Sequence, residues 1–479
     1  MNDDVQWIRF DGRVPFQDGS ASRFSVAGSF READPTGLDL EIFWHGNDVE
    51  RRRGAAAFMA NKQNHVWLRN ENAEDGHIEL LGISGESTTY AKTSPISTRP
   101  QFAALQRGLH SQPETRDARF HVEVRLAPSG FFENGIVEQH YTGEIKITPL
   151  PAHTPIQITS RYGELLVRDA YSYESGEEHG NKVTKQIQKS TISGEIAVPK
   201  GSSLHEVNEE LKKEIELVRR ALSLCFRQPV QYFQITYRNL SEPGRPSPFF
   251  RRRLPQVAKR QRIDEFIQAR NLGNGGLQRL IAAIRSSPQS PDLVRAIDFL
   301  AESYTSTLEN AFFLAFSAME TVVNIAAGPA AEGTYNKSQW KALRHALESA
   351  ISKTAAELSL DPTDLHEKLP ELKRPALRKR VRIACANYAP ATMDLWPHLD
   401  FLQGLGEATK IRNGLFHAAA YSDGTAIVES LIRVRAFAER LIAKILKWPD
   451  DELWVWRDQN LKFMNINSKP RSESAGPEA

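Results

Sequence analysis

Three polar residues near the C-terminus have the types and the spacing of a site for phosphate chemistry. The segment reads Lys-Ile-Arg-Asn-Gly-Leu-Phe-His, and it places Arg412 directly before Asn413 and five positions before His417. An arginine keeps its positive charge in a protein, whereas a histidine gains and loses a proton near neutral pH. The pair therefore supplies a fixed cation for a phosphate and a group that moves protons. Those are the two tasks of metal-independent RNA cleavage.

If this segment is a regular helix, its polar side chains do not all point the same way. Successive helical residues are turned by about 100°, so Asn413 and His417 point within roughly 40° of each other. Arg412 and His417 diverge by roughly 140°. Gly414 is a candidate for a helix end or a helix distortion, and either would change these angles. A two-fold axis would also bring the same helix of a second copy in from the other side.

One carboxylate, Glu320, lies in an almost wholly apolar stretch that runs from Ala311 to Ala327. An unpaired carboxylate in such surroundings costs several kcal/mol, so the pattern predicts a buried cationic partner for it. Arg412 is the candidate partner. A pair of this kind fits a catalytic salt bridge and a purely structural one equally well.

Two clusters of positive charge are candidate binding surfaces for RNA. One runs from Arg251 to Arg262 and the other from Lys368 to Arg382. Contacts of such residues to phosphates give sequence-independent affinity that falls with salt. The alternative is that each cluster is a solvated face, because charge runs are common on protein surfaces. In the second cluster no aromatic residues alternate with the charges, so no base-stacking platform is indicated there. Its RNA-binding candidates are Lys373, Arg374, Arg378, Lys379, Arg380 and Arg382.

The composition argues against several other classes of protein. Lys and Arg outnumber Asp and Glu only by 61 to 59, which is too even for a uniformly basic nucleic-acid coat. The two cysteines, Cys225 and Cys385, lack the spacing of a zinc site or a disulfide scaffold. The N-terminus lacks the apolar core of a signal peptide, and the longest apolar run falls short of the ~20 residues that a membrane span needs. We expect a cytoplasmic protein with no membrane segment, no metal and no cofactor.

The hydrophobic pattern of the first half of the chain is typical of strands. Short alternating runs between turn residues predict a β-rich, sandwich-like domain over residues 1–238. One helix interrupts it, from about Leu204 to Cys225, and it begins with the capping-box residues Ser203 and Glu206. The apolar stripe of this helix should pack on the strands.

The second half of the chain has a different character. Residues 239–262 are rich in proline and arginine, as in an exposed linker. Helical periodicity dominates residues 263–460, and residues 461–479 have almost nothing to bury, which predicts disorder. The fold class is therefore α+β with several domains: β-rich first and an all-α bundle second. Its helices are predicted over Pro291 to Ala327, Lys337 to Leu358, Leu399 to Ile411 and Thr425 to Lys447.

The helical half resembles the HEPN superfamily, and within it the ApeA-like branch of bacterial anti-phage proteins. Three segments carry the resemblance: the apolar helix Glu309–Glu320, the Arg412-Asn413-x-x-x-His417 motif and the long closing helix Thr425–Trp448. The β-rich half is compatible with the accessory domains of ApeA-like proteins.

The resemblance implies a ribonuclease that forms a homodimer through its HEPN domain, so that both motifs face one cleft. It would cut cellular RNA without a metal and leave cyclic phosphate and 5′-hydroxyl ends, with transfer RNA among the candidate targets. Arg412, Asn413 and His417 would be the catalytic residues and Glu320 a supporting one. Its purpose would be defence against phage, with a phage or cellular trigger recognised by the N-terminal domain.

Two other functions stay open at this stage. The helical domain could keep the motif for dimerisation or for RNA or nucleotide binding without cutting, beside a ligand-sensing β domain. Alternatively, the β domain could be the active element, as a sugar or peptide binder. A subclass of HEPN toxins that nucleotidyltransferase partners silence has a tyrosine two positions after the histidine. That position is Ala419 in this chain, which argues against such a toxin.

Overall fold

The structure, a computed structural model, describes most of the chain between Val5 and Leu453. The predicted tail over 461–479 and the cations Lys373 and Arg374 lie outside the described residues. The segments that are not described are 1–4, 16–20, 32–35, 37–38, 61–64, 70–76, 82–84, 90–96, 102, 110–112, 129–134, 140–144, 150–155, 179–180, 243, 245–246, 255–264, 332–336, 370–371, 373–375, 419–422 and 454–479.

The chain divides into two compact units. The first contains Met1–Arg219, Val230–Arg262 and Ala269–Arg279, and the second contains Arg220–Pro229, Ile263–Gln268 and Leu280–Ala479. The first unit is rich in antiparallel strands, and helices make up most of the second. The predicted order, a β-rich region followed by a helical region, is confirmed.

The strands of the first unit form three antiparallel sheets in the described residues. Their orders are β1-β2-β3-β7-β6, β10-β11 and β12-β13-β14-β9-β15-β16-β8-β5-β4. The strands are β1 Val5–Pro15, β2 Ala21–Arg31, β3 Asp39–Trp44, β4 His65–Arg69, β5 His77–Leu81, β6 Gly85–Thr89, β7 Ser97–Gln101, β8 Ala104–Arg107, β9 Ala118–Ala127, β10 Gly135–Gln139, β11 Ile145–Pro149, β12 Ile156–Thr159, β13 Glu164–Glu178, β14 Asn181–Val198, β15 Gln231–Asn239 and β16 Phe249–Arg252.

A helix that the periodicity did not indicate lies between β3 and β4. This helix, α1, spans Asp48–Ala60. The Asn47 side-chain oxygen accepts from the backbone N–H groups of Val49 and Glu50, each at 3.0 Å. The Glu50 carboxylate accepts in return from the Asn47 N–H at 2.9 Å. The helix is therefore started by local capping, and the prediction of a single helix in this region is wrong.

Helix α2, Leu204–Phe226, packs on one face of the nine-stranded sheet, as its amphipathic pattern predicts. The capping box is formed: Ser203 N–H donates to the Glu206 carboxylate at 3.0 Å, and Glu206 N–H donates to the Ser203 hydroxyl at 3.2 Å. From the sheet, the Tyr237 hydroxyl donates to the Asn208 side chain at 2.8 Å. The predicted apolar stripe is buried at Val207, Leu211, Ile215 and Val218.

The opposite face of that sheet carries a buried row of polar side chains. Arg125 on β9 lies opposite Gln234 on β15, which in turn lies opposite Arg251 on β16. The Arg251 guanidinium donates to the Gln234 side-chain oxygen at 2.7 Å and is fully buried. The predicted exposed linker over 239–262 is therefore wrong at β16, because this strand pairs with β15 and β8 on its two sides. Residues 255–262 lie outside the described part.

The helical region follows β16. It comprises α3 Ala269–Leu272, α4 Gly276–Ser286, α5 Ser290–Ser303, α6 Leu308–Ala327, α7 Lys337–Leu358, α8 Thr363–Lys368, α9 Leu377–Tyr388, α10 Phe401–Ala418 and α11 Gly424–Ile445. The helices predicted from Lys337, Leu399 and Thr425 are present as α7, α10 and α11. The helix predicted from Pro291 to Ala327 is instead two helices, α5 and α6. They separate because Thr305 and Ser306 turn their hydroxyls back to the Glu302 carbonyl, at 3.3 and 2.9 Å.

Helix α6 is the centre of the second unit. It packs against α5, α9, α10 and α11. Phe312, Phe316, Met319 and Val323 are among its fully buried side chains. Each such side chain stabilises the fold by about 1.5–3 kcal/mol through the removal of its apolar surface from water.

A buried network of charges ties the start of this unit to its last helix. The Arg227 guanidinium donates twice to the Glu439 carboxylate, with both distances 2.8 Å. The Tyr304 hydroxyl donates to the same carboxylate at 2.6 Å, and burial raises the pKa of Tyr304 well above its ordinary value. Because both charges are paired and hydrogen-bonded, the chain tolerates them in the core.

The length and the composition of α6 also match those of a membrane span. Its most apolar window has a mean hydropathy of 1.3, and 61% of that window is buried inside the protein. A buried core helix meets the same criteria. The contacts with α5, α9, α10 and α11 account for its apolar residues.

Two glycines of α10 provide a test of how this helix is held. A β-carbon at Gly404 would overlap the ring of Trp396, which is itself buried against Phe401, whereas one at Gly406 would meet nothing within 4 Å. We expect Gly404→Ala to destabilise the protein by about 1–3 kcal/mol through overpacking. Gly406→Ala should stabilise it by about 0.5–1 kcal/mol through helix propensity. Urea unfolding of the full chain followed by circular dichroism measures both, and equal shifts would contradict this packing of α10.

Candidate functional site

The arginine–histidine motif lies in the last two turns of α10. This helix runs without interruption to Ala418, so Gly414 does not end it. Positions 412 and 417 are therefore about 140° apart around the helix axis. The side chain of His417 lies outside the described part of the chain. A single α10 thus presents position 412 on one side, and positions 413 and 417 together on another.

Arg412 is held on the side of α10 that faces α6. One guanidinium nitrogen lies 3.9 Å from a carboxylate oxygen of Glu320, and another donates to the side-chain oxygen of Asn413 at 3.1 Å. The guanidinium carbon lies 5.7 Å from the ring centres of both Phe316 and Phe416. An arginine within about 6 Å of an aromatic ring is attracted to it. The head of Arg412 is therefore positioned by one carboxylate, one amide and two rings.

The predicted pairing of Glu320 with Arg412 is present, but its surroundings are less buried than expected. The side chains of Glu320 and Arg412 are 31% and 34% exposed. α6 turns Glu320 toward the edge of its packing, where water reaches the carboxylate. The predicted cost of a deeply buried charge therefore does not arise. The pair leaves the Arg412 guanidinium accessible from solvent.

Arg412 and Glu320 line an open, mostly polar cleft of about 720 Å³ in the second unit. A cavity of this volume is within the range of small-ligand sites, about 300–1,000 Å³. Three arginines and two carboxylates line it, which leaves one excess positive charge. The lining residues are Gln289, Asp292, Arg295, Glu320, Thr321, Asn324, Ile325, Gly328, Arg380 and Arg412.

The ion pairs of the cleft are long and exposed to solvent. Arg295 lies 3.5 Å from Asp292, with both side chains more than half exposed, and Arg412 lies 3.9 Å from Glu320. Such pairs contribute about 0–1 kcal/mol, because water screens them and the side chains lose freedom on pairing. An anion of higher charge, such as a phosphate, can therefore compete for these arginines.

The residues of the basic cluster around α9 do not lie on one common surface. Arg380 lines the cleft and donates to the side-chain oxygen of Asn324 on α6. Arg378, Lys379 and Arg382 are exposed on other sides of the helix. Only Arg380 of the described candidates in this cluster is thus brought to the same cleft as Arg412.

Several of the groups that line the cleft are not indicated by any sequence motif. Gln289 and Arg295 come from α5 and its start, and Asn324 comes from the last turns of α6. None of them lies in a recognisable motif, because their proximity to Arg412 depends on how α5, α6 and α10 pack. The periodicity of α6 was the available signal: Glu320 and Asn324 are four residues apart and share a helix face.

Cysteine chemistry is not favoured at either thiol. Cys225 is buried and burial raises its pKa well above the ordinary value. Burial raises the pKa of Cys385 to about 11, so its thiol is protonated at neutral pH and is a weak nucleophile. Among the residues that the structure describes, no group of three or more His, Cys, Asp or Glu side chains is placed to hold a metal ion.

No known protein family model, no curated protein and no solved structure matches this chain. The resemblance to HEPN domains therefore rests on the segments quoted above.

The strength of the Glu320–Arg412 contact can be measured with a double-mutant cycle. We expect Glu320→Gln, Arg412→Gln and the double variant to give a coupling of about 0.2–1 kcal/mol, because the pair is long and partly solvated. The measurement is urea unfolding of each variant, at low and high salt.

The pair Arg440–Asp394 is the matched control in the same unit. Its two hydrogen bonds are 2.6 and 2.7 Å, and Arg440 is almost fully buried. Its coupling should be larger, about 1.5–3 kcal/mol. If Glu320 and Arg412 showed no coupling, the pairing itself would be wrong; if they matched the control, the contact would be a structural one.

Proposed function

We propose that this chain is a metal-independent endoribonuclease of the HEPN type. The observation that carries the proposal is the position of Arg412 within the motif: its guanidinium lines an open cleft beside Arg380 and Arg295. A cleft with three arginines suits a polyanion, and the motif adds a histidine that can move protons. The substrate class is therefore RNA, whose 2′-hydroxyl supplies the nucleophile.

The reaction needs one group to move protons and one to stabilise charge. The 2′-oxygen attacks the phosphorus, the bond from phosphorus to the 5′-oxygen breaks, and a 2′,3′-cyclic phosphate remains. His417 takes the 2′-hydroxyl proton or protonates the leaving 5′-oxygen, an effect of about 10²–10⁴-fold, and water makes the other of these two proton transfers. Arg412 stabilises the negative charge that develops on the phosphorane. Asn413 orients His417 or binds the phosphate.

The helix geometry makes a homodimer part of this proposal. Because positions 412 and 417 point about 140° apart on an unbroken helix, one α10 does not bring both residues onto one phosphate. A two-fold axis beside α10 would place His417 of a second copy opposite Arg412 of the first. Each dimer would then have two composite sites.

The cellular role follows from the resemblance alone. The protein would act in the cytoplasm, without metal or cofactor, as a phage-defence effector that cuts cellular RNA, with transfer RNA among the candidates. The β-rich unit would recognise a phage or cellular trigger.

A second candidate is a silent module that binds RNA or nucleotides, or that dimerises, without cutting. One observation favours it: the Arg412 guanidinium already has contacts with Glu320 and Asn413. These contacts would serve a structural arginine as well as a catalytic one. Activity of the intact protein decides between the two.

RNA cleavage by the purified full chain is the test of the enzyme. Total bacterial RNA is incubated with the protein in EDTA, and the new ends are mapped for 5′-hydroxyl groups. We expect cleavage by the parent and a loss of about 10²–10⁴-fold in His417→Ala. The loss in Arg412→Ala should be about 10²–10³-fold, as for removal of a group that stabilises transition-state charge.

Lys410→Ala is the matched control, because Lys410 is an exposed residue of the same helix that pairs only locally with Glu407. It should cut like the parent, and all variants must keep the oligomeric size of the parent. RNA left intact by the parent would favour the silent module. Equal cleavage by every variant would place the activity outside this motif.

The composite site makes a further prediction for mixed dimers. Arg412→Ala and His417→Ala are each inactive alone, but after mixing and subunit exchange a heterodimer keeps one intact site. If exchange is random, about a quarter of the parental activity should return. No recovery, in a mixture whose exchange is verified by differently tagged chains, would show that each site is built from one copy.

A further inference from the structure

Two exposed aromatic rings are stacked beside the candidate site. Phe313 on α6 and Phe416 on α10 have ring centres 6.2 Å apart and planes inclined by 14°. They are 44% and 62% exposed, and no other Phe, Tyr or Trp whose side chain the structure describes is as open to water. Large exposed apolar side chains that cluster mark binding surfaces more often than scattered ones do.

The aromatic pair and the arginines lie along one face of α6. Phe313, Glu320 and Asn324 are seven and four residues apart, which keeps them on the same side of the helix. Phe416 contacts Phe313, Arg412 contacts Glu320, and Arg380 contacts Asn324. With a rise of 1.5 Å per residue, these three positions follow one another at intervals of about 10 and 6 Å.

An aromatic platform next to a row of cations is the arrangement that binds single-stranded nucleic acid. Bases stack on the aromatic faces, and the positive groove follows the phosphates. The Arg412 guanidinium, 5.7 Å from the Phe416 ring centre, joins the two parts of the surface. We propose that Phe313 and Phe416 form a base-stacking subsite that places an unpaired nucleotide of RNA next to the arginine-lined cleft.

The size of the patch favours a base over a protein partner. From the exposed fractions, the two rings offer about 200 Å² together, since a phenylalanine has roughly 150–250 Å² to bury. A stable protein interface needs about 800 Å² from each partner. The adjacent excess of arginine is complementary to a phosphate chain.

This inference rests on the proposed function, because it makes unpaired RNA the substrate class of the same site. It assigns Phe416 to substrate positioning, without a part in proton transfer. A base paired in a duplex is not open for stacking, so the subsite selects loops and single strands.

Binding of an uncleavable oligonucleotide tests the subsite separately from catalysis. The probe is a fluorescein-labelled, single-stranded 2′-O-methyl RNA of about ten nucleotides, within the site size of single-strand binders. It lacks the 2′-hydroxyl that the proposed reaction requires. Fluorescence anisotropy with the full chain should show about tenfold weaker binding for Phe416→Ala, the effect of one lost stacked base, and near-parental binding for Phe416→Trp.

Two controls isolate stacking from charge and from general damage. Leu399→Ala removes another exposed apolar side chain, close to the opposite end of α10 and about 25 Å away along its axis, and should bind like the parent. An abasic oligonucleotide of equal length keeps the phosphates, so the parent and Phe416→Ala should bind it equally.

Each contrary outcome overturns the subsite. Equal binding of the probe by the parent and Phe416→Ala would do so, as would equal weakening on the abasic strand, or no binding by the parent at low salt. If Phe416→Ala binds the probe like the parent but is a monomer by light scattering where the parent is a dimer, the patch is an interface between copies.

If the stacking result holds but Arg412→Ala and His417→Ala cut RNA like the parent, the proposed nuclease site fails and the single-strand site remains.

Discussion

The burial of α6 is the constraint on which the helical unit depends. Its apolar majority has to be covered by α5, α9, α10 and α11, and a helix covered on all sides would have no place for a charged group. Glu320 therefore lies at the one edge of α6 that water reaches, where α10 meets it with Arg412. The buried part of α6 thus stabilises the fold, and its exposed edge determines where the candidate site lies.

Arginine serves two purposes in this unit, and burial decides which. Arg227 and Arg440 are deeply buried in short, bidentate pairs with Glu439 and Asp394, and removal of one partner from such a pair is costly. Arg412 and Arg295 of the cleft lie in solvated surroundings, where a phosphate can displace a carboxylate at little cost. The net charge of the chain is only +2. The surface is therefore suited to a polyanion because of where its arginines lie, not because of the total charge.

The sequence predicted the elements whose causes are local. The capping box at Ser203 and the stripe that follows it were enough to predict α2, because both signals lie within the helix itself. Local signals failed where pairing partners are distant. Arg251 belongs to a cationic run that is typical of an exposed loop, yet β15 and β8 pair with its strand and bury it.

The sequence by itself determined the order of β-rich and helical regions and the motif of Arg412, Asn413 and His417, and it named Arg412 as the candidate partner of Glu320. These depend on residue type, on spacing and on the preference of a carboxylate in an apolar helix for a cationic partner. Only the tertiary structure decided that Arg380 joins Arg412 in one cleft and that Phe313 stacks on Phe416. Both contacts join residues of different helices, and their distance depends on how those helices cross, which periodicity within one helix does not specify.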